Sequence, residues 1–333
     1  MNPLQCGCND RVMWKAAWLL LVLVLVGSSL AALWYFRSRL AENHNVTSVR
    51  AWEEATRGEN PAQSSYESAQ QIGTITDRRL DEVSGITASR RTDGVWWVHN
   101  DSGDLPRIFA VNSSGRLLGI YRVVGAINVD WEDIASGPGA DGGPALYIAD
   151  IGDNENRRDA VVVYRVKEPD ISSSGEPAQT ESAEPFQFRY PDGAHNAEAL
   201  IVDPGSGRIY VITKTQSHSC NVYRSPWPLK LGEPMTFEPM TGAAVATISQ
   251  WRLVTGAAAS PDGRRVAIRT YFSAFELLRA PGKGFESVFD SSPSSISLPL
   301  EQQGEAISYT RDGKYLVTTS EKLPAPIHQL KRK

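Results

Sequence analysis

Glu305-Ala306-Ile307-Ser308-Tyr309-Thr310-Arg311-Asp312-Gly313-Lys314-Tyr315-Leu316-Val317 reads as two short strands folded on a tight turn. Apolar, β-branched and aromatic residues fill both arms. The Asp-Gly pair between them is a strong hairpin signal, because glycine supplies the positive φ that such a turn needs. The opening residue is the anomaly: a carboxylate leads an otherwise apolar strand.

The same unit occurs four more times upstream. Ser84-Gly85-Ile86-Thr87 leads through Asp93-Gly94 to Val95-Trp96-Trp97-Val98 and then Ile108 to Val111. Glu132 and Ile134 precede Ala145 to Ile148 and Val161 to Val166. Glu198 to Val202 turns near Gly207 into Ile209 to Ile212, followed by Val222-Tyr223. Thr255 leads through Asp262-Gly263 to Val266-Ala267-Ile268 and Phe275 to Leu278. The openings are spaced by 48, 66, 57 and 50 residues, which suits four-stranded blades with variable outer loops. The expected fold is therefore all-β, a five-bladed β-propeller. The last copy has room for three strands only, and Gln71-Ile72-Gly73-Thr74-Ile75 is expected to supply the fourth and so remove the open edges. A six-bladed ring is the alternative, with a degenerate blade hidden in Phe186 to Tyr190 or Thr236 to Gln250.

First strands of propeller blades line the axis, so Ser84, Glu132, Glu198, Thr255 and Glu305 are expected to converge there. Three carboxylates within about 5 Å repel by roughly 3 kcal/mol per pair at an effective dielectric near 20. Either some of them hold protons, or a hard cation sits among the oxygens, and carboxylates, hydroxyls and waters are what Ca²⁺ accepts. After the second strands come His99, Asp101, Asp150, Asp153, Lys214, Arg269 and Glu321, expected on one face near the axis. Such mixed charge suits a small anionic or polyhydroxylated ligand, with Lys214 and Arg269 as cationic contacts. Asp150 to Asn156 resembles an oxygen-rich calcium loop but lacks the Glu that closes an EF-hand. No Gly-x-Ser-x-Gly elbow occurs, and the five histidines show no metal-ligand spacing.

Outside the repeats, Ala16 to Phe36 is a run of 21 uncharged residues between Lys15 and Arg37, long enough at about 1.5 Å per residue to span a bilayer. Trp14 and Trp18 at one end and Trp34 and Tyr35 at the other suit the two interfaces. A cleaved signal peptide is the competing reading, since Ser29 and Ala31 have the spacing a peptidase prefers; the apolar run continues past that point, which favours a retained anchor. The expected order is a cytoplasmic tail over 1–15, a transmembrane signal-anchor over 16–36, a polar stalk over 37–68 and the propeller over 69–333, outside the cytoplasm on a single-pass cell-membrane anchor. The positive residues flanking the span are balanced, so the outward placement rests on analogy with other single-span anchors. A formal net charge of -4 leaves no cationic excess for a nucleic-acid backbone. Cys6, Cys8 and Cys220 cannot build a disulfide framework.

Two resemblances attach to these residues. The order hydroxyl, Glu, Glu, hydroxyl, Glu over five blades resembles the axial calcium site of the calcium-activated nucleotidases (apyrases), with Thr255 where that family has serine. From Leu80 to Glu321, the motifs Asn100-Asp101-Ser102-Gly103, Asp130-Trp131-Glu132-Asp133, Asp150-Ile151-Gly152-Asp153-Asn154, Asn196-Ala197-Glu198-Ala199-Leu200 and Arg269-Thr270-Tyr271 are similar to those of uncharacterised bacterial propeller proteins, some labelled esterase-like or phytase-like. The first resemblance implies Ca²⁺ at the axis; the second implies a fold and no mechanism. A tethered binding module and a calcium-dependent hydrolase of phosphate esters or anhydrides both remain open, the former favoured because no nucleophile or phosphate loop is present.

Overall fold

The computed structural model describes residues 65–171, 177–215, 219–248 and 253–333. The run 16–36 lies outside these residues, and no described helix is long and apolar enough to cross a membrane. Five sheets, each with an antiparallel four-stranded body started by one of the sequence repeats, surround an axis.

Blade 1 contains β2 (Val83–Ala88), β3 (Val95–Asn100), β4 (Arg107–Asn112) and β5 (Leu117–Val124). Blade 2 contains β6 (Trp131–Pro138), β7 (Pro144–Asp150), β8 (Val161–Lys167) and β10 (Glu184–Arg189). Blade 3 is β11 (Ala197–Val202), β12 (Ile209–Thr213), β13 (Val222–Arg224) and β15 (Glu238–Pro239). Blade 4 is β16 (Val254–Ala259), β17 (Arg265–Thr270), β18 (Ala274–Leu278) and β19 (Ser294–Ile296). Blade 5 is β20 (Gly304–Tyr309), β21 (Tyr315–Ser320), β22 (Ala325–Lys331) and, from the other end of the chain, β1 (Gln70–Ile75).

The expected closure is realised: β1 pairs antiparallel with β22 from Gln70↔Gln329 to Ile75↔Ala325. The innermost strands β2, β6, β11, β16 and β20 touch in succession, and β2 meets β20 to complete the ring. The chain joins the propeller slightly before the expected boundary, because Tyr66 is buried, bridges to Arg332 and donates its hydroxyl to Glu276.

The ring has five blades. Phe186 to Tyr190 belongs to β10, the outer strand of blade 2, and Thr236 to 248 supplies outer strands and the short helix α1 (Ala243–Ile248). The irregular repeat spacing has a physical cause at the rim. After β8 the chain crosses back so that β9 (Ala178–Ser182) pairs parallel with β5 of blade 1, and β14 (Met235–Thr236) pairs parallel with β10 of blade 2. These additions lengthen two of the repeats and cover two outer edges.

The core consists of five apolar layers between neighbouring blades. Tyr147 and Phe186 of blade 2 meet Leu200 and Val211 of blade 3, for example, and Trp96 and Phe109 of blade 1 meet Val317 and Ile327 of blade 5. Inner and second strands are buried on both faces, which is why they read as continuous apolar runs. All five layers and the closing strand are built from residues 66–330.

Candidate functional site

Each inner strand carries a β-bulge at its second residue. The register steps from Val83↔Asn100 to Gly85↔His99, from Trp131↔Asp150 to Asp133↔Ala149, and from Ala197↔Thr213 to Ala199↔Ile212. It does so again at Val254/Gly256 and Gly304/Ala306. The extra residues are Ser84, Glu132, Glu198, Thr255 and Glu305, the five that the sequence repeats single out. A bulge re-aims the side chain it carries, so one backbone device, repeated five times, brings these residues towards one end of the axis. All five are buried.

They do not form an even ring. The Ser84 hydroxyl donates to the Glu132 carbonyl at 2.6 Å, and that of Thr255 to the Gly304 carbonyl at 3.1 Å, so both hydroxyls tie their blade to the next. Glu132 and Glu198 approach closely enough to share a side-chain hydrogen bond, and burial followed by the Glu198 charge pushes the Glu132 carboxyl well above its usual range. Glu305 is also raised, chiefly by burial, with Lys214 pulling the other way. Its Oε1 accepts from Gln303 at 3.2 Å, whereas its buried Oε2 has no hydrogen-bond partner.

Lys214, directly after β12, answers much of this charge. Its Nζ lies 3.1 Å from Glu198 Oε1 and 4.9 Å from the centre of the Tyr271 ring. Burial lowers its affinity for a proton, and Glu198, Glu305 and Glu132 together more than reverse that, so it stays charged. An ammonium from the chain itself thus offsets part of the repulsion among these carboxylates.

On the other side of Glu132, the loops hold Asp101 and Asp130. Asp101, Asp130 and Glu132 each offer an oxygen within 4.8 Å of the others. Oxygens around one Ca²⁺ at about 2.4 Å are at most about 4.8 Å apart, so these separations are of the order that a shared cation requires. Gly152 makes room, since a Cβ there would collide with the carboxylates of Glu132 and Asp130. Burial, then the charges of Glu198 and Asp130, raises Asp101 to about 6; burial, then Asp101 and Glu82, raises Glu321 to about 7.

The remaining expected ligand residues divide. Asp101, Lys214 and Glu321 lie at the mouth, as read from the sequence. His99 and Arg269 do not, for both are fully buried. His99 packs edge-on against Trp131, its Nδ1 is 2.8 Å from the Asn100 carbonyl, and burial lowers its pKa to about 4, which keeps it neutral. Arg269 pairs with Glu301 and donates to the carbonyls of Ala306 at 3.0 Å and Thr319 at 3.3 Å, binding blade 4 to blade 5. Gly304 exists to admit it, because any Cβ would overlap the guanidinium. Asp150 is also enclosed, accepting from the amides of Val129 and Asp130 and pairing with Arg158 at 2.7 Å. Asp153 accepts from the amides of Arg157 and Arg158 and makes a turn.

Four residues escaped prediction as site members. Asp130 and Tyr271 were visible only as parts of motifs. Asp133, next to a bulge, accepts from the amides of Ile134, Leu200 and Ala257 and so pins blades 2, 3 and 4 together. Glu301 lies in the loop that leads from β19 into the inner strand β20, with no distinguishing sequence around it.

No protein-family model matches the sequence, and no curated protein does. Among solved structures the chain is similar to a glucose dehydrogenase at 12% identity, covering 79% of this chain and 99% of that one with a TM-score of 0.42. It is also similar to the apo form of the soluble aldose sugar dehydrogenase of Escherichia coli at 8% identity, covering 80% and 99% with a TM-score of 0.45. At these values the likeness assigns neither substrate nor cofactor to this chain.

Proposed function

We propose that this propeller is an extracytoplasmic binding module, held at a membrane by residues 16–36, whose axial mouth takes Ca²⁺ and presents it to a small anionic or polyhydroxylated ligand. The observation that carries the reading is the clustering of Asp101, Asp130 and Glu132 oxygens within 4.8 Å, beside a second carboxylate pair that already holds a cation in Lys214. The Ca²⁺ position lies to one side of the axis, at the junction of blades 1 and 2. Lys214 then serves the opposite side, where it meets the negative charge of an incoming ligand or stays with Glu198 and Glu305.

The alternative is a calcium-dependent hydrolase of phosphate esters or anhydrides, and one observation favours it. Glu321, outside the three-oxygen cluster, has its carboxyl raised to about 7 by burial and then by the charges of Asp101 and Glu82, which is where a proton-transferring group works best. Phosphate release from nucleoside diphosphates and inositol phosphates, with and without Ca²⁺, separates the two readings.

The test of the cation is a thermal melt over a Ca²⁺ titration. An ion bound only by the folded state raises the midpoint, by about 2.7 kcal/mol of stability at a hundred times the dissociation constant. Asp130→Asn should abolish most of that rise. The pH dependence has a definite sign. Asp101 and Glu321 have folded pKa values above their ordinary ones, so the stability they contribute is present in acid and lost progressively as pH rises from about 4, where the unfolded carboxyls ionise, through about 6 to 7. Without Ca²⁺ the midpoint should fall across that window, and with Ca²⁺, which displaces those protons, the fall should shrink or reverse. A midpoint indifferent to Ca²⁺ at pH 8 removes the cation from the proposal.

A further inference from the structure

The mouth lies at one end of the inner strands; the Asp262-Gly263 and Asp312-Gly313 turns lie at the other, about 20 Å away along β20 at the usual rise per residue. Charge at that far end has the opposite sign. A groove of about 540 Å³ between blades 4 and 5 is lined by Arg264, Arg279, Lys314, Lys331, Arg332 and Lys333 and by the carboxylates of Asp262 and Asp312, while Lys331 also meets Glu67 at 3.3 Å and Arg332 meets Glu276 at 3.4 Å. Lys314 and Asp312 are 3.2 Å apart and Arg264 and Asp262 3.9 Å, both pairs exposed and therefore weak. Among the described residues neither Arg279 nor Lys333 has an ion-pair partner.

The same groove is where the polypeptide enters the propeller. Lys333 donates its amide to the Ser65 carbonyl at 2.9 Å, the Glu67 amide donates to Lys331, and Tyr66 bridges to Arg332. Buried Glu276 locks this corner by accepting from the hydroxyls of Tyr66 and Tyr309 and facing Arg332 at 3.4 Å. Residues 37–64 therefore connect the apolar run directly to the basic end, and 28 residues reach no farther than about 100 Å in any conformation.

We infer that this basic groove docks on the anionic phospholipid surface of the membrane that holds the chain, leaving the acidic mouth directed away from it. Three observations select that occupant. The groove gathers its cationic side chains around the point of attachment, whereas at the mouth Lys214 is outnumbered by the carboxylates around it. The groove is shallow, with the exposed apolar side chain of Leu278 at its rim, which suits a surface of headgroups rather than one enclosed ion. A tether of this length holds the groove at an effective concentration on the order of millimolar near the bilayer, so weak contacts suffice. The inference rests on residues 16–36 as an anchor and is independent of any cation at the mouth.

The test uses the full chain reconstituted into vesicles of phosphatidylcholine alone or mixed with phosphatidylglycerol, with backbone hydrogen exchange as the readout. On anionic vesicles exchange should slow several-fold at 311–315 and 329–333 and stay unchanged at 126–130 near the mouth. The protection should vanish at about 1 M salt, where the screening length falls to about 3 Å. In a second arm, residues 65–333, which carry the closed ring, should float with anionic vesicles, and the double variant Arg279→Glu with Lys333→Glu should lower that partitioning about tenfold or more. An unaltered melting midpoint of the variant separates lost docking from lost folding. Equal exchange on both membranes overturns the inference. So does reversal of the protection by millimolar inorganic phosphate, which would assign the groove to a free anion.

Discussion

Lys214 and Arg269 stand near the ends of the second strands of neighbouring blades, and each faces a glutamate, yet the two pairs are built to opposite ends. Arg269 and Glu301 are both 0% exposed, and the carboxylate is closed in further by His328 Nδ1 at 2.7 Å and the Thr318 hydroxyl at 3.1 Å. Burial pushes the Glu301 carboxyl up, and the charge of Arg269 with the His328 hydrogen bond outweighs it, so the group stays ionised. Lys214 keeps 16% of its side chain exposed and meets Glu198 through one contact, with an aromatic face as its other neighbour. A pair closed off from water and held from several sides, with the Arg269 Nε left unpartnered, has no room to change partners; one at the edge of a polar cavity, held by Glu198 and the Tyr271 ring, has. The first is a rivet between blades, and the second is a counter-ion that a divalent cation or a ligand can displace.

The largest effect expected from this contrast is on stability. Glu301→Ala leaves a guanidinium buried without a counter-charge, and breaking such a pair costs about 3–5 kcal/mol. Denaturant unfolding should show that loss in full, with Ca²⁺ affinity of the surviving folded fraction unchanged. A loss below about 1 kcal/mol would mean that the pair is open to water after all.

Lys214→Met is expected to act the other way round. The stability change without Ca²⁺ should be modest, because burial already raises the Glu132 and Glu305 carboxyls well above their usual range, so that a proton taken up there can replace the lost positive charge. Removing a positive charge from the cation's surroundings should tighten Ca²⁺ about tenfold, which corresponds to about 1.4 kcal/mol and is of the size expected for one charge a few ångströms away in a polar site. Calorimetric titration of wild type and variant measures it. If Ca²⁺ affinity weakens, Lys214 organises the site instead of competing for it.

The fold was legible because five hairpins with Asp-Gly or Gly turns repeat at blade spacing, and even the closing strand could be located from a shortage of residues in the last copy. The ring residues were legible because a polar side chain opening a strand buried on both faces is costly unless it has a purpose. What the pattern could not convey was the bulge: strict alternation says which face a residue takes, not that an inserted residue turns it towards the axis. Nor could it separate Lys214 from Arg269, since both follow the same strand position. Their difference comes from Glu301, a loop residue 32 positions downstream of Arg269 whose role depends on tertiary packing alone. His99 was misplaced for a related reason: a histidine ending a strand looks like a mouth residue until Trp131 of the next blade is seen packed against it.

The smallest expected effect decides between an even ring and a one-sided site. In an even ring of five oxygens, Ser84 and Thr255 are ligands, and Ser84→Ala should weaken Ca²⁺ strongly. In the one-sided site the oxygens offered are those of Asp101, Asp130 and Glu132, and the hydroxyls of Ser84 and Thr255, which donate to the carbonyls of Glu132 at 2.6 Å and Gly304 at 3.1 Å, act as ties between blades. Ser84→Ala then removes one buried hydrogen bond and leaves one carbonyl unpaired, a loss of about 1 kcal/mol of stability. Ca²⁺ affinity should stay within about twofold of wild type, because Asp101, Asp130 and Glu132 are untouched and a change of under half a kcal/mol is all that a slight shift of the Glu132 backbone would transmit. Thr255→Val, on the far side of the axis, should change affinity still less, so a tenfold loss in either variant would restore the symmetric ring.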